Sequence, residues 1–495
     1  MSTAPQAVPT FLADPNKLLL IDGKWVPAVS GESIETFNPA TGQVLARLAR
    51  GGQADIDIAV KAARRAFQGP WSKFNPAQRQ QVIIRFAELM EKHFDELTML
   101  ESLDMGAPLY TRLRPAKGGL VQTLLYYSAQ ARNITGDTMP NSLPGNVRTM
   151  VVKAPVGVVG GIIPWNGPMF SQMNVLGPVL ATGCTAVLKP AEDASLSILR
   201  TAEIALEAGV PPGVINVVTG LGYEAGAALA AHTDVNRVAF TGSTVTGREV
   251  IRASASNMKR IQLELGGKSP DVVFADADLD KAVPGVAMGV YTNSGQVCFA
   301  GTRVFVQRSI QDQFVERLAA FGKTLKVGDP MDPTTNLGPL ISDKQLQRVL
   351  GYVEKGSQEG ARLAAGGQRL GGALQGGYYI EPTVFSNVSN SMTIAQEEIF
   401  GPVASVIPFD TIEEALQLAN DIEYGLGSGV WSTNVNTVHK MIDGIQAGTV
   451  WVNCYGMLDP AVGFGGYKNS GYGWKGGQSQ IDGYLYQKAA YINVT

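Results

Sequence analysis

From about residue 155 onward the chain reads as strand, helix, strand, helix, and this alternation limits its folds more than any other feature. Apolar runs at 156–163, 185–188, 214–218, 237–240 and 260–265 have the length of buried strands. Between them, 195–208, 223–231 and 244–255 carry helical periodicity, the first stopped by Gly209 and Pro211-Pro212. Consecutive strands joined by helices pair in parallel, with the helices covering the sheet faces. A second alternating set follows Gly267, with strands near 271–274, 302–307, 403–408 and 449–452 and helices near 279–290, 309–324, 342–359 and 411–420. A chain of 495 residues has room for two or three domains, so an α/β protein with two parallel-sheet units is expected. Residues 54–68 and 76–102 predict helices, Pro76 marks a helix start, and the glycine-rich stretch 366–377 predicts loops.

Composition removes several function classes. Forty basic residues against forty-three acidic ones leave a net charge of −3, which gives no basic face for nucleic acid. Cys184, Cys298 and Cys454 are too few and too scattered for a disulfide framework or a metal site. The three histidines, His93, His232 and His439, lack His or Cys neighbours and predict surface or capping roles. The amino terminus has no basic residue before Lys17 and no apolar core of a secretory leader, and no run of about 18 apolar residues follows. The expectation is a soluble, cytoplasmic protein without a membrane span.

Three segments carry chemistry. Asn293-Ser294-Gly295-Gln296-Val297-Cys298-Phe299-Ala300-Gly301 places a lone thiol in a turn of small residues, where glycines let backbone approach a ligand. Gln262-Leu263-Glu264-Leu265-Gly266-Gly267-Lys268 puts a carboxylate inside an apolar strand that breaks on two glycines. Gly161-Ile162-Ile163-Pro164-Trp165-Asn166-Gly167-Pro168 ends an apolar strand in a turn that presents an amide. Each alone has a bland reading: a buried inert cysteine, an ion-pair partner, a turn residue. Together they are the nucleophile, base and oxyanion donor that acyl chemistry needs. Phe240-Thr241-Gly242-Ser243-Thr244-Val245-Thr246-Gly247 is a strand, a glycine turn and a helix start, so its amides can face a pyrophosphate. Arg248-Glu249 follows where a P-loop needs Lys-Ser/Thr, which excludes a nucleoside triphosphatase, and Gly220-x-Gly222-x-x-x-Gly226 is by itself a weak signal.

With these motifs in this order, from Asn38-Pro39-Ala40-Thr41-Gly42 to Phe464-Gly465-Gly466-Tyr467-Lys468-Asn469-Ser470-Gly471, the chain resembles the NAD(P)-dependent aldehyde dehydrogenase superfamily. The resemblance implies a Rossmann-like NAD-binding domain at 1–131 and 154–265 and a catalytic α/β domain at 266–465. It also implies a β oligomerisation element at 132–153 and 482–495, and hence a homodimer or homotetramer. Lys189 and Glu192 would hold the adenosine ribose, and a carboxylate there favours NAD over NADP, with NADP left open. Glu398 would hold the nicotinamide ribose and Phe400 pack by the ring. Ile162, Pro164, Trp165, Gly222, Gly226, Phe240, Thr241, Gly242, Ser243 and Leu265 complete the implied cofactor contacts.

In the implied mechanism Cys298 attacks the aldehyde carbon, and Asn166 and the Cys298 amide hold the oxyanion. Hydride passes to NAD, and Glu264 activates the water that hydrolyses the thioester; Lys268 is read as supporting the loop. Relatives that pass the acyl group to coenzyme A typically lack this base, so Glu264 favours hydrolysis. A catalytically silent structural relative is the reading from another class, against which the intact Cys298, Glu264 and Asn166 argue.

The chain departs from the family at four places. Gly167 replaces an aromatic residue and Gly119 a large apolar one, and both widen the substrate tunnel. Its expected lining is Met169, Phe170, Met173, Asn174, Val297, Phe299, Met457, Leu458 and Phe464, with no Arg or Lys. A bulky hydrophobic aldehyde, aromatic or terpenoid, is the expected substrate, with a long-chain aliphatic or broad-specificity enzyme as the alternative; semialdehydes of dicarboxylic acids lack a cation to bind them. Asn174-Val175 replaces a Trp-Lys pair and Trp474-Lys475 an Arg-Glu pair, which removes the usual proton relay and leaves Lys475 as a substitute.

Overall fold

The computed structural model describes residues 9–109 and 117–494. The first eight residues, read above for a secretory leader, and Thr495 at the end of the tail lie outside the described residues. Two large sheets dominate. In the first, five parallel strands run in the order Arg260–Glu264, Arg237–Thr241, Val158–Ile163, Thr185–Pro190, Ile215–Val217. Antiparallel strands close both edges: Leu19–Ile21 and Lys24–Val26 on one side, and Gly471–Tyr472, returning from near the carboxyl end, on the other. The second sheet orders Arg362–Ala365, Thr383–Ser386, Val403–Phe409, Arg303–Gln307, Pro270–Val273, Gly427–Trp431 and Thr449–Val452, all parallel except its first pair.

The central strands are buried on both faces, which is why they read as continuous apolar runs rather than alternating ones. Caps fix where helices begin. Asn75 accepts from the Gln78 amide ahead of Pro76–Lys92, with Pro76 at the first helical position, and such a cap contributes about 1 kcal/mol. The helix expected over 76–102 is two: it breaks at His93, whose φ of −95° and ψ of 12° end Pro76–Lys92 and start Phe94–Met105. His93 contacts Glu96 at 3.2 Å and His232 accepts from the Asp234 amide at 3.1 Å, both at helix ends.

A third sheet joins Asp137–Met139, Val147–Pro155 and Leu485–Asn493, the last two antiparallel with Leu485 opposite Pro155 and Asn493 opposite Val147. The strand Gly427–Trp431 and the helices Pro168–Thr182, Lys117–Gln130 and Val435–Gly444 were not anticipated from the sequence. Pro178 lies inside Pro168–Thr182 and removes one amide from the helical ladder. The carbonyl it would have bonded, that of Asn174, accepts instead from Gln480 Nε2 at 2.6 Å. Among the described residues no helix is long and apolar enough to cross a membrane.

Candidate active site

The site forms where the first sheet hands over to the second. Glu264 ends the last parallel strand of one sheet, and Pro270 begins a central strand of the other. The link between them is threaded through a narrow gap. A Cβ on Gly266 would come within 2.6 Å of Glu398 Oε2, and one on Gly267 would overlap the Cys298 carbonyl. The two glycines predicted to break the strand therefore let it pass between Cys298 and Glu398.

Cys298 follows a turn in which Asn293, Ser294 and Gly295 all have positive φ, at 51°, 55° and 74°. Asn and Gly tolerate that region, but a serine there is strained, as functional loops often are. The strain is held by packing: any side chain on Gly295 would overlap Gly401, and Ser294 Oγ donates to the Gly338 carbonyl at 2.7 Å. Asn166 is tied to the same turn. Its Nδ2 donates to the Gln296 carbonyl at 2.9 Å, and its own carbonyl accepts from Asn293 Nδ2 at 3.0 Å. An amide nitrogen has two protons, so one Asn166 N–H remains for a further acceptor. The Cys298 amide has no acceptor among the described residues.

Burial sets the electrostatics. It pushes the Cys298 thiol up to about 12, against the pull of Lys475, while the Glu264 and Glu398 carboxylates push the same way as burial. It raises Glu264 to about 7, again opposed by Lys475. Glu264 is 1% exposed, and neither carboxylate oxygen has a hydrogen-bond partner. Lys268 is also buried with an unpartnered ammonium, lowered to about 7 by desolvation, while its carbonyl accepts from Arg303 Nε at 2.8 Å. Glu398 accepts the Gly267 amide at 3.2 Å and is raised to about 7 by burial.

Lys475, which lies outside the lining expected from the sequence, donates to Thr241 Oγ1 at 2.9 Å, and Thr241 is the strand partner of Glu264. The Thr241 hydroxyl, expected near the cofactor phosphate, is thus engaged by Lys475. The Ser243 hydroxyl accepts the Thr246 amide and caps Thr244–Ser254, leaving the first amides of that helix open.

A cradle lies further along the first sheet, at the carboxyl end of Thr185–Pro190. Lys189 Nζ meets Glu192 Oε2 at 2.8 Å, and Glu192 Oε1 accepts the Gly222 amide at 3.3 Å. Burial alone would raise Glu192, but Lys189 overcomes it and holds the carboxyl below its usual value. Cβ atoms on Gly222 and Gly226 would sit 3.8–4.0 Å from this pair, so bare backbone roofs it. Ile162 stands between Lys189 and Phe240 on the sheet, Phe240 lies under Gly242, and Leu265 packs on Gly247 of the capped helix. The Trp165 and Phe400 rings meet edge-on at 5.2 Å just past Pro164, and Phe400 itself has a φ of 61°. An ion pair with hydroxyl-binding capacity, open helix amides and an aromatic wall fit a dinucleotide.

On the other side of Cys298, Phe299 meets Phe464 edge-on at 5.6 Å and Trp451 at 5.4 Å. Tyr455 donates to the Phe299 carbonyl at 2.6 Å, and Trp451 to the Met457 carbonyl at 2.8 Å. Trp451 and Tyr455 were missed in the sequence, where nothing separates them from ordinary core aromatics. Val297 is half-buried beside the thiol, and Met457 and Leu458 are exposed at the rim. A Cβ on Gly167 would meet open space. Asn174 is buried, with Nδ2 bonded to the Phe170 carbonyl at 2.9 Å. Phe170 packs half-buried against the core beside the first sheet, and Gly119 lies in the helix Lys117–Gln130, which packs on Pro168–Thr182.

The sequence profile of the aldehyde dehydrogenase family matches residues 25–490. Aldehyde dehydrogenase 1 of Tanacetum cinerariifolium is 45% identical over 472 residues, covering 95% of this chain and 94% of its own. The NAD+ complex of an aldehyde dehydrogenase from Bacillus cereus superposes with a TM-score of 0.96 at 45% identity, covering 100% of this chain and 99% of its own. The indole-3-acetaldehyde dehydrogenase AldA of P. syringae, solved with NAD+ and IAA, gives a TM-score of 0.93 at 43% identity over 96% of each chain. Matches of this extent, on this α/β fold, make the chain a member of the aldehyde dehydrogenase family and an NAD-dependent aldehyde dehydrogenase.

Proposed function

We propose that the enzyme oxidises a bulky hydrophobic aldehyde, aromatic or terpenoid, to its carboxylic acid by covalent catalysis at Cys298. The observation that carries the chemistry is the meeting of the Cys298 thiol, the unpartnered Glu264 carboxylate and the Asn166 amide at the junction of the two sheets. A thiol near 12 is almost wholly protonated at neutral pH, so its attack on a carbonyl needs a base. Glu264, near 7, takes the Sγ proton through an intervening water as the carbon–sulfur bond forms, and then releases it to solvent. The second Asn166 N–H and the Cys298 amide hold the oxyanion, each such donor contributing about 3 kcal/mol. When bound, NAD would supply the hydride acceptor for oxidation of the adduct to the thioester level. Lys189, Glu192, Gly222, Gly226, Glu398 and Phe400 would hold it. Glu264 then takes a proton from water as its oxygen adds to the thioester carbon; the carbon–sulfur bond breaks, the proton goes to sulfur, and the acid leaves.

A base buried beside the thiol favours water over coenzyme A as acyl acceptor. The Glu192 carboxylate, in place to repel a 2′-phosphate, favours NAD over NADP. We assign NAD binding to 1–131 and 154–265, catalysis to 266–465, and subunit contact to 132–153 with 482–495. The exposed Met139, Val152, Tyr491 and Ile492 of the third sheet support that last role. The Phe299–Phe464 aromatic wall, the open space at Gly167 and the aromatic substrate in the name of AldA support the choice of aldehyde.

The test scans short aliphatic, long aliphatic, aromatic and terpenoid aldehydes for NADH formation, with NAD and NADP, beside Cys298→Ala. The expected result is a kcat/KM at least about tenfold higher for the aromatic or terpenoid aldehyde than for acetaldehyde, and none in Cys298→Ala. Best turnover of acetaldehyde would sink the substrate reading, and an active Cys298→Ala the thiol mechanism.

A further inference from the structure

Glu264 is buried without a hydrogen bond, yet one charge faces it. Lys475 arrives from the last stretch of the chain with its backbone fixed on every side. Its amide and carbonyl each bond Phe464 at 2.7 Å, the Trp474 carbonyl accepts from Gln262 Nε2 at 3.1 Å, and the Gly476 amide donates to Gln480 Oε1. The ammonium donates to Thr241 Oγ1, on the residue paired with Glu264 across the parallel strands. Among the described residues Lys475 has no carboxylate at ion-pair distance. Fixing so flexible a side chain costs conformational entropy, and no ion pair offsets it.

Among the described residues no other cation acts on Glu264. The titratable groups near it are Cys298 on its turn and Glu398, which reaches the Gly266–Gly267 step from the next segment. Thr241 and Gln262 from the strands and Ser171 and Asn174 from the helix are uncharged. Lys268 acts on Glu398 instead. A small cavity lined by Asn174, Thr241, Gln262 and Lys475 adjoins the base on the same sheet face, since Gln262 and Glu264 are two apart on one strand.

We propose that Lys475 is a positioning residue of the hydrolytic step, its Thr241-anchored ammonium holding Glu264 in the carboxylate form that accepts a proton from water. This rests on Glu264 being the base. The cation acts through charge and never touches the substrate, so an arginine serves and a methionine of like length does not.

The experiment compares wild type, Lys475→Met and Lys475→Arg, each checked for folding by circular dichroism. Infrared difference spectra against pH follow the protonated-carboxyl band that Glu264→Gln removes, alongside the pH profile of kcat. Without Lys475, Glu264 binds its proton more tightly, so its midpoint rises by about one unit in Lys475→Met. With a midpoint near 7 to begin with, the ionised fraction at pH 7 falls about fivefold, and the lost rate returns at alkaline pH. Lys475→Arg keeps the wild-type midpoint. Equal midpoints in wild type and Lys475→Met overturn the proposal. Undiminished turnover in Glu264→Gln would instead overturn the role of Glu264 itself, which separates the two failures.

Discussion

Two glutamates of the first sheet's neighbourhood have opposite fates. Glu192, at the cofactor cradle, is paired with Lys189 at 2.8 Å and accepts a backbone amide, and its proton affinity falls. Glu264, one strand system away, is buried deeper, has no partner for either oxygen, and its proton affinity rises to about 7. The same side chain is held as a fixed anion in one place and left near its titration point in the other. Pairing decides which: a satisfied carboxylate stays charged, and an unsatisfied one stays poised to titrate.

The sharpest way to break the contrast is Glu264→Gln. It removes the proton acceptor while keeping the shape, so steady-state NADH formation falls about 10²–10⁴-fold. Thermal stability does not fall, because an unpartnered buried carboxylate is gone. Turnover within tenfold of wild type would show that the unpaired acid is not the base. The middle effect is Glu192→Gln. The KM for NAD rises about tenfold, the preference over NADP narrows, and kcat stays within about twofold. A fall in kcat with KM unchanged would place Glu192 in the chemistry rather than the cradle.

The smallest effect comes from a third acid, Asp271. Its Oδ1 accepts Trp431 Nε1 at 2.8 Å, its Oδ2 has no partner, and burial raises it from 3.8 to about 7. A carboxyl raised by folding stabilises fully below pH 4, and that contribution is lost as pH rises through 7. Asp271→Asn does not titrate. Its stability relative to wild type therefore improves by about 1 kcal/mol between pH 6 and pH 7, read from denaturant midpoints. A constant difference across that range would mean that Asp271 is ionised throughout.

The sequence exposed most of what breaks a pattern. Cys298, Glu264 and Asn166 stand out because a thiol, a carboxylate and an amide interrupt apolar or small-residue runs, and the structure places all three at one junction. The parallel strands were legible because burial on both faces makes them long apolar runs. Gly427–Trp431 was not, since Gly427-Ser428-Gly429 carries no strand propensity. Its glycines are there because Trp451 and Asp271 press on the backbone, neighbours that only the folded sheet supplies. The three left-handed residues of the Cys298 turn were equally silent, because only one of them is glycine. Lys475 and Thr241, 234 residues apart, meet through a strand from the carboxyl end, a pairing that no local pattern announces.

The proline at 178 leaves the helix Pro168–Thr182 with a carbonyl that Gln480, 306 residues later, supplies with a donor. That helix therefore completes its backbone bonding only once the carboxyl-terminal stretch has docked, so a break in one local ladder ties two distant parts of the chain together.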